Sequence, residues 1–245
     1  MSLIRLFFEV DLSLGGSVAL GSSQTHYLGN VMRLKRGDSF LGFNGVDGEW
    51  KCTIERISRG KCEVTISEKV RELVTGPDLW LLFAPVKRTR IDFIASRATE
   101  LGVSVLQPVF TEHTSVSRVN GERLRANAIE AAEQCGAMVV PEVREVLDLS
   151  TLIETWPSER RLILCDSSGK GSPIKSILEK NVYPGPWAIL VGPEGGFCEY
   201  ELDQIQQKAK PLIVSLGPRI LRSDTAVVAA LTCWQAVLGD WSEIG

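Results

Sequence analysis

Ile189-Leu190-Val191-Gly192-Pro193-Glu194-Gly195-Gly196-Phe197 and Ser215-Leu216-Gly217-Pro218-Arg219-Ile220-Leu221-Arg222-Ser223-Asp224-Thr225-Ala226 have the same form. In each, an apolar run of strand length ends in a Gly-Pro turn, and a helical pattern follows. Glycine tolerates positive φ and lets a ligand approach the main chain, while proline fixes φ and removes a donor. A strand, a tight turn and a helix N-terminus leave amide groups aimed at one spot. One such loop reads equally well as a tight connection without a ligand. Two of them, close together in the chain, predict one binding site at the carboxyl ends of neighbouring parallel strands. No Lys-Ser/Thr follows Gly195-Gly196, which excludes a phosphate-binding P-loop.

Outward from these loops, the pattern from residue 79 onward alternates strand and helix. Residues 79–86 are an almost continuous apolar run, as a strand buried on both faces requires. Ile91, Ile94, Ala95, Ala98 and Leu101 fall at helical spacing, and Gly102 follows where a C-terminal cap belongs. Strands are expected at 103–109, 139–140, 162–165, 188–191 and 212–216, with helices at 122–134, 200–208 and 225–238. This alternation predicts an α/β layer structure. Before it lies a different texture. A strand is expected at 3–9, and Ser23 is placed to cap a short helix through Met32 with Tyr27, Leu28 and Val31 on one face. Residues 40–43, then Trp50, Cys52, Ile54 and Ile57, then Cys62, Val64 and Ile66 read as short strands. Asn44-Gly45, Asp47-Gly48 and Arg59-Gly60 are the turns between them. This is a compact β-rich unit, a small barrel, and Val74-Thr75-Gly76-Pro77-Asp78 reads as the linker that ends it.

The chain has 245 residues, 44% hydrophobic and 23% charged, with a formal net charge of -3. That balance argues against a partner held by bulk positive charge, so any RNA contact must use local basic clusters. Cys52, Cys62, Cys135, Cys165, Cys198 and Cys233 show no C-x-x-C pairing, and only His26 and His113 join them. No metal site is expected, the thiols read as reduced, the N-terminus does not read as a signal peptide, and a cytoplasmic location is expected. No apolar run approaches the ~20 residues of a membrane helix, so no membrane partner is expected.

Gly192-Pro193-Glu194-Gly195-Gly196 together with Leu216-Gly217-x-Arg219-Ile220-Leu221-Arg222 resembles the SPOUT methyltransferases, and among them the family that methylates N3 of a uridine in bacterial small-subunit (16S) ribosomal RNA. The resemblance covers almost the whole chain. His26-Tyr27-Leu28-x-x-Val31-x-Arg33 with Gly37-Asp38 looks like the family's N-terminal PUA-like barrel. Lys87-x-x-Arg90-x-Asp92 and Arg97-Ala98-Thr99-Glu100-Leu101-Gly102-Val103 are similar to its first catalytic-domain helix, and Glu130-Ala131-Ala132-Glu133-Gln134-Cys135 with Pro141 to its middle helix. The chain departs from the pattern at Arg97 (more often Lys), Ala137 (usually Arg) and Asp224 (usually Glu). The resemblance implies an α/β fold of two domains: a PUA-like RNA-binding β-barrel over residues 1–72 and a SPOUT methyltransferase domain with a trefoil knot over 73–245. It also implies S-adenosylmethionine as cofactor, a homodimer, and ribosomal RNA or the assembled small subunit as substrate. Two other readings stay open: a SPOUT enzyme with another target, such as ribose 2′-O in transfer RNA, and an RNA-binding assembly factor without catalysis.

Methyl transfer from a sulfonium needs donor carbon and nucleophile held at near-attack distance. On this resemblance Leu190, Gly192, Pro193, Glu194, Gly195, Gly196, Leu216, Gly217, Ile220 and Leu221 form the cofactor slot, although Leu190, Leu216 and Ile220 read equally well as core. Uridine N3 must lose a proton, and Arg222 is the expected group to orient the base and stabilise the developing anion. Its alternative is an ion pair with Asp224 or with Glu194 across a dimer. Asp224 is a general-base candidate that also suits a helix N-terminus, and Glu194 faces the cofactor's positive charge or accepts amides in its own turn. Lys87, Arg88, Arg90, Arg97 and Arg123, with His26, Arg33 and Lys35 in the barrel, are the expected RNA contacts; the alternative for each is a solvated surface charge. No thiol has a neighbouring base in the sequence to activate it, so attack by cysteine is not expected. Charge reversal at both Arg33 and Lys35 is expected to weaken RNA binding and to flatten its salt dependence, read as the slope of log K against log salt; an unchanged slope places the RNA elsewhere.

Overall fold

The computed structural model describes residues 4–58 and 60–243, with the side chains of residues 88, 89, 242 and 243 excepted. Leu3 of the expected first strand, Arg59 of the expected turn and the Arg88 side chain lie outside the described residues. By their contacts the residues form two compact units, Met1–Thr75 with Ala132–Val140, and Gly76–Ala131 with Pro141–Gly245.

The first unit contains β1 (Arg5–Phe7), β2 (Ser17–Leu20), α1 (Ser22–His26), β3 (Ser39–Phe43), β4 (Glu49–Ser58) and β5 (Lys61–Arg71). They form one sheet in the order β1-β3-β4-β5-β2, with β1 parallel to β3 and the other pairs antiparallel. Period-two alternation decides which face is covered. Cys62, Val64 and Ile66 of β5 are buried, and Ile54 opposes Val64 in register on β4. With Leu6, Leu28 and Phe40 they make one apolar cluster. β2 had no sequence signal, because Ser17–Leu20 has a single fully buried apolar side chain, Leu20.

The short helix differs from its expected form. It starts after Gly21 rather than at a Ser23 cap, ends at His26, and continues as a π-helical turn over Tyr27–Val31. There the Met32 amide donates to the Tyr27 carbonyl at 2.9 Å, an i to i+5 bond. The wider turn breaks the 3.6-residue spacing, so the three apolar residues do not share a face. Leu28 is buried, while Tyr27 and Val31 are exposed.

Glu49 is the buried charge of this unit. Its carboxylate accepts from Arg5 Nε at 2.6 Å and from Arg71 Nε at 2.8 Å. Arg5 reaches further, donating to the carbonyls of Ala132 at 2.5 Å and Ala137 at 2.9 Å. The Ala132–Val140 segment is thereby held by the same guanidinium that neutralises Glu49.

The second unit contains β6 (Leu79–Phe83), α2 (Arg88–Glu100), β7 (Val105–Phe110), α3 (Gly121–Cys135, its last turn grouping with the first unit), β8 (Glu142–Val143), β9 (Leu147–Asp148), α4 (Leu149–Glu154), β10 (Arg161–Cys165), β11 (Ser172–Pro173), α5 (Ile174–Lys180), β12 (Trp187–Val191), α6 (Glu199–Ala209), β13 (Leu212–Ser215) and α7 (Ser223–Val237). Its sheet runs β11-β13-β10-β12-β6-β7-β8, with β9 paired to β7, and every pair is parallel. All five residues of β12 are buried, as the unbroken apolar run requires of a central strand. The strand expected at 139–140 forms at Glu142–Val143 instead. Pro141 has no N–H to give to a ladder, and the amide after it, Glu142, donates to Ser104 at 2.9 Å.

Burial alone raises the Glu49 carboxyl, but hydrogen bonds from Arg71 and Arg5 outweigh it and hold the group below 4.5. A depressed carboxyl stabilises the fold above its unfolded pKa, and that stabilisation is lost as pH falls through the folded value. Glu49→Ala is expected to destabilise the protein by about 3 kcal/mol, because two buried or half-buried guanidinium groups lose their partner. Denaturant titration at pH 7 checks it, and the difference from the parent protein should shrink as the pH is lowered below 4.5.

Candidate active site

The two glycine loops leave the carboxyl ends of β12 and β13, but those strands are not neighbours. β10 lies between them. The site is therefore built from three loops, and the third, residues 166–169 after β10, had not been singled out in the sequence. Together they enclose a cleft of about 370 Å³. The missed signal was Asp166-Ser167-Ser168-Gly169, a polar turn after an apolar strand. The Asp166 carboxylate closes that turn, accepting from the amides of Ser168, Lys170 and Gly171 at 2.9, 2.9 and 3.0 Å and from Ser168 Oγ at 2.9 Å. Burial pushes its carboxyl up and these bonds more than reverse it, so the group sits below 3.8 and stays ionised.

Each glycine loop has a steric reason for its sequence. A Cβ on Gly192 would stand 2.8 Å from the Phe197 ring, so the ring packs directly on the turn. Gly196 and Gly217 have φ of 69° and 113°, which side-chain-bearing residues rarely adopt. The loops are also tied together. Ser223, the first residue of α7, is buried and its hydroxyl donates to the Gly192 carbonyl at 3.0 Å. Behind the first loop, Glu201 accepts the Cys198 amide at 2.9 Å in a capping box and the Glu112 amide at 2.8 Å. The cap is thus complete, with Glu201 anchoring a second segment as well.

Of the residues expected around a cofactor, Gly192, Pro193, Glu194, Gly195, Gly196, Leu216, Gly217, Ile220 and Leu221 all line the cleft. Ile220 is 83% exposed there, which excludes its alternative reading as core. Leu190 does not line the cleft. It is fully buried in the cluster with Leu82, Leu164 and Ile205, because in a strand buried on both faces the position before the last still points into the core. Phe197, Leu202, Ser223 and Ala226, none of them expected in the cofactor slot, line it too.

Arg222 is exposed at the N-cap position of α7, beside the cleft-lining Leu221 and Ser223. Asp224 lies in the first turn, where its Oδ1 accepts the Thr225 amide at 2.9 Å. Glu194 is ion-paired within the chain to Arg90. The Arg90 hydrogen bond holds its carboxyl below 4.5 against burial, with a smaller contribution from the charge of Arg222. Four of the cysteines are held as thiols: burial pushes those of Cys52 and Cys165 up to about 12 and raises those of Cys62 and Cys233.

The expected RNA contacts are more dispersed. In the second unit Lys87 is exposed at the N-cap of α2. Arg97 pairs with Glu100 at 2.5 Å, and Arg123 donates to both oxygens of Asp92, with Nε at 2.7 Å. In the first unit His26, Arg33 and Lys35 are exposed. His26 borders a groove with Thr25, Gly29, Asn30 and Leu34, and Arg33 adopts a left-handed φ of 58°.

Comparison with known proteins places this geometry. A family model for the RNA methyltransferase domain matches residues 75–235, and one for the RNA methyltransferase PUA domain matches residues 20–67. The ribosomal RNA small subunit methyltransferase E of Synechocystis sp. is 32% identical over 240 residues, 96% of this chain and 78% of that protein. The protein of the same name from Rickettsia conorii is 29% identical over 230 residues, 93% of each chain. Among solved structures, ribosomal RNA small subunit methyltransferase E from Neisseria gonorrhoeae, bound to S-adenosyl methionine, superposes with a TM-score of 0.87 at 27% identity, covering 98% of this chain and 99% of that one. A putative methyltransferase from Legionella pneumophila, in complex with the same cofactor, gives 0.86 at 27% identity, covering 98% and 100%. The first unit is PUA-like and the second a SPOUT-like parallel sheet, as the resemblance implied. With both family models matched in order along one chain, this protein belongs to the RNA methyltransferase family of the ribosomal RNA small subunit methyltransferases E.

Proposed function

We propose that this chain transfers a methyl group from S-adenosylmethionine to small-subunit (16S) ribosomal RNA, at N3 of a uridine. The observation that carries the reading is the cleft of about 370 Å³ at the carboxyl ends of β10, β12 and β13. Its size falls in the range of small-molecule sites, and its walls are three glycine-containing turns with apolar side chains such as Phe197, Leu202 and Leu221 among polar ones. That lining suits an adenosine, which needs apolar faces and amide and carbonyl partners. The cofactor-bound relative from Neisseria gonorrhoeae supports the same assignment. Gly192, Pro193, Glu194, Gly195, Gly196, Leu216, Gly217, Ile220 and Leu221 would hold the cofactor, with Leu190 supporting the first loop from the core.

When bound, S-adenosylmethionine supplies a methyl carbon already activated by a cationic sulfur. The chain's own task is to place the base and manage its proton. Arg222 would orient the uracil and stabilise negative charge as the N3 proton leaves. Glu194, held ionised by Arg90, would keep a negative charge near the cationic sulfur. Asp224 would fix the start of α7 and is the carboxylate nearest Arg222 in sequence. The RNA contacts would be His26, Arg33 and Lys35 of a PUA-like domain over 1–72, and Lys87, Arg90, Arg97 and Arg123 of a SPOUT domain over 73–245. The last three would exchange a carboxylate partner for phosphate. A trefoil knot in the second domain, a homodimer and a cytoplasmic location complete the proposal.

Nucleoside mass spectrometry of 16S ribosomal RNA from a deletion strain, with and without the gene restored, tests the reaction. The expected outcome is N3-methyluridine lost and regained. A 2′-O-methyl nucleoside, or loss only from transfer RNA, would move the substrate elsewhere, and no change in any nucleoside would leave the assembly-factor reading. Arg222→Ala is expected to lower kcat by 100-fold or more, on the order of removing one anion-stabilising donor. Its affinity for S-adenosylmethionine in calorimetry should stay within about twofold, since the loops that line the cleft are main chain. An unchanged kcat removes Arg222 from the mechanism.

A further inference from the structure

The first glycine loop is held from outside by a side chain that does not itself line the cleft. His113 follows β7, in a turn where the Thr114 amide donates to the Thr111 carbonyl at 3.0 Å and Thr114 Oγ1 accepts the Thr111 amide at 2.9 Å. The turn is anchored again by the Glu112 amide on Glu201. From this fixed base the His113 ring reaches the glycine pair. Its Nδ1 lies 3.1 Å from the Gly196 carbonyl oxygen, and its Cβ lies 3.0 Å from where a Cβ on Gly195 would stand. A carbonyl only accepts, so Nδ1 carries the proton and donates.

We infer that His113 is a positioning residue for the cofactor: its Nδ1–H holds the Gly195-Gly196 segment in the conformation that lines the cleft. The inference rests on the cleft being the S-adenosylmethionine site. Two consecutive glycines have the widest range of main-chain conformations in the chain, and binding a ligand in one of them costs the entropy of the rest. The turn's own bond, Gly196 amide to Pro193 carbonyl at 2.9 Å, fixes one end of the segment. The imidazole fixes the other, and its Cβ crowds the space that a side chain at Gly195 would take. His113 thus acts through the loop and shifts its population toward the binding-competent form before the cofactor arrives.

Calorimetry with S-adenosylmethionine and methyl transfer to 16S ribosomal RNA over a range of cofactor concentrations test this on the full chain. His113→Ala should weaken cofactor affinity about tenfold, the equivalent of one neutral hydrogen bond, and raise the cofactor KM in step, with kcat within about twofold. His113 is exposed, so the melting temperature should not move. His113→Asn should restore affinity, because its Nδ2 stands as many bonds from the main chain as Nδ1 does. His113→Gln, whose amide stands one bond further out, should not. Parental affinity in His113→Ala, or rescue by Gln and not by Asn, overturns the assignment. Should the parent protein itself bind no S-adenosylmethionine, the cleft reading fails, and that outcome is distinct from a parent that binds and an Ala variant that binds as well.

Discussion

The hydrogen bond from the Ser223 hydroxyl to the Gly192 carbonyl, 3.0 Å long and partly buried, joins the turn after β12 to the start of α7. β10 separates the strands from which those two segments come, so nothing in the sheet ladder brings them together. α7 packs against β12 and α2, which lays its first residue over the first glycine turn. Arg222 and Asp224 flank Ser223, so the same bond fixes where those side chains start relative to Glu194 and Gly195. The contact ties together two of the three segments that line the cleft. A Ser hydroxyl suits the position because it donates to a carbonyl while the main chain turns into a helix.

A second constraint is the way charge is balanced. The net charge is -3, and three of the basic groups expected to meet RNA have carboxylate partners: Arg90 with Glu194, Arg97 with Glu100, Arg123 with Asp92. Such pairs are worth little when exposed, so a phosphate can take the guanidinium from its carboxylate at small cost. On the proposed reading RNA meets local, already ordered cations rather than a broad positive field. Arg90 is the one that also touches the glycine loop, through Glu194, so RNA and cofactor would share a side chain between them.

The α/β alternation of the second unit was legible because its strands are buried on both faces: 79–83 and 187–191 are unbroken apolar runs that no exposed element would keep. The glycine loops were legible because positive φ at Gly196 and Gly217 demands glycine whatever surrounds it. What failed to show were the elements with short or mixed patterns. β2 has one fully buried side chain, α4 and α5 are six and seven residues long, and the π-helical turn breaks the period that would reveal it. His113 left no pattern, and the polar turn at 166–169 after its apolar strand left only a weak one, since the meaning of such short polar segments depends on what folds against them.

The sequence by itself determined the local chemistry: which runs become strands, where the chain must turn through glycine, and, through the family pattern in its two loops, the class of reaction. Tertiary structure decided the rest. It placed β10 between β12 and β13 and so added a third wall to the cleft, sent Leu190 into the core, gave Glu194 to Arg90, and drew the Ala132–Val140 segment to the first unit through Arg5. The physical reason is one of range. Propensity and periodicity act over a few residues, whereas strand order and ion-pair choice are set by contacts between segments tens of residues apart, which no local pattern encodes.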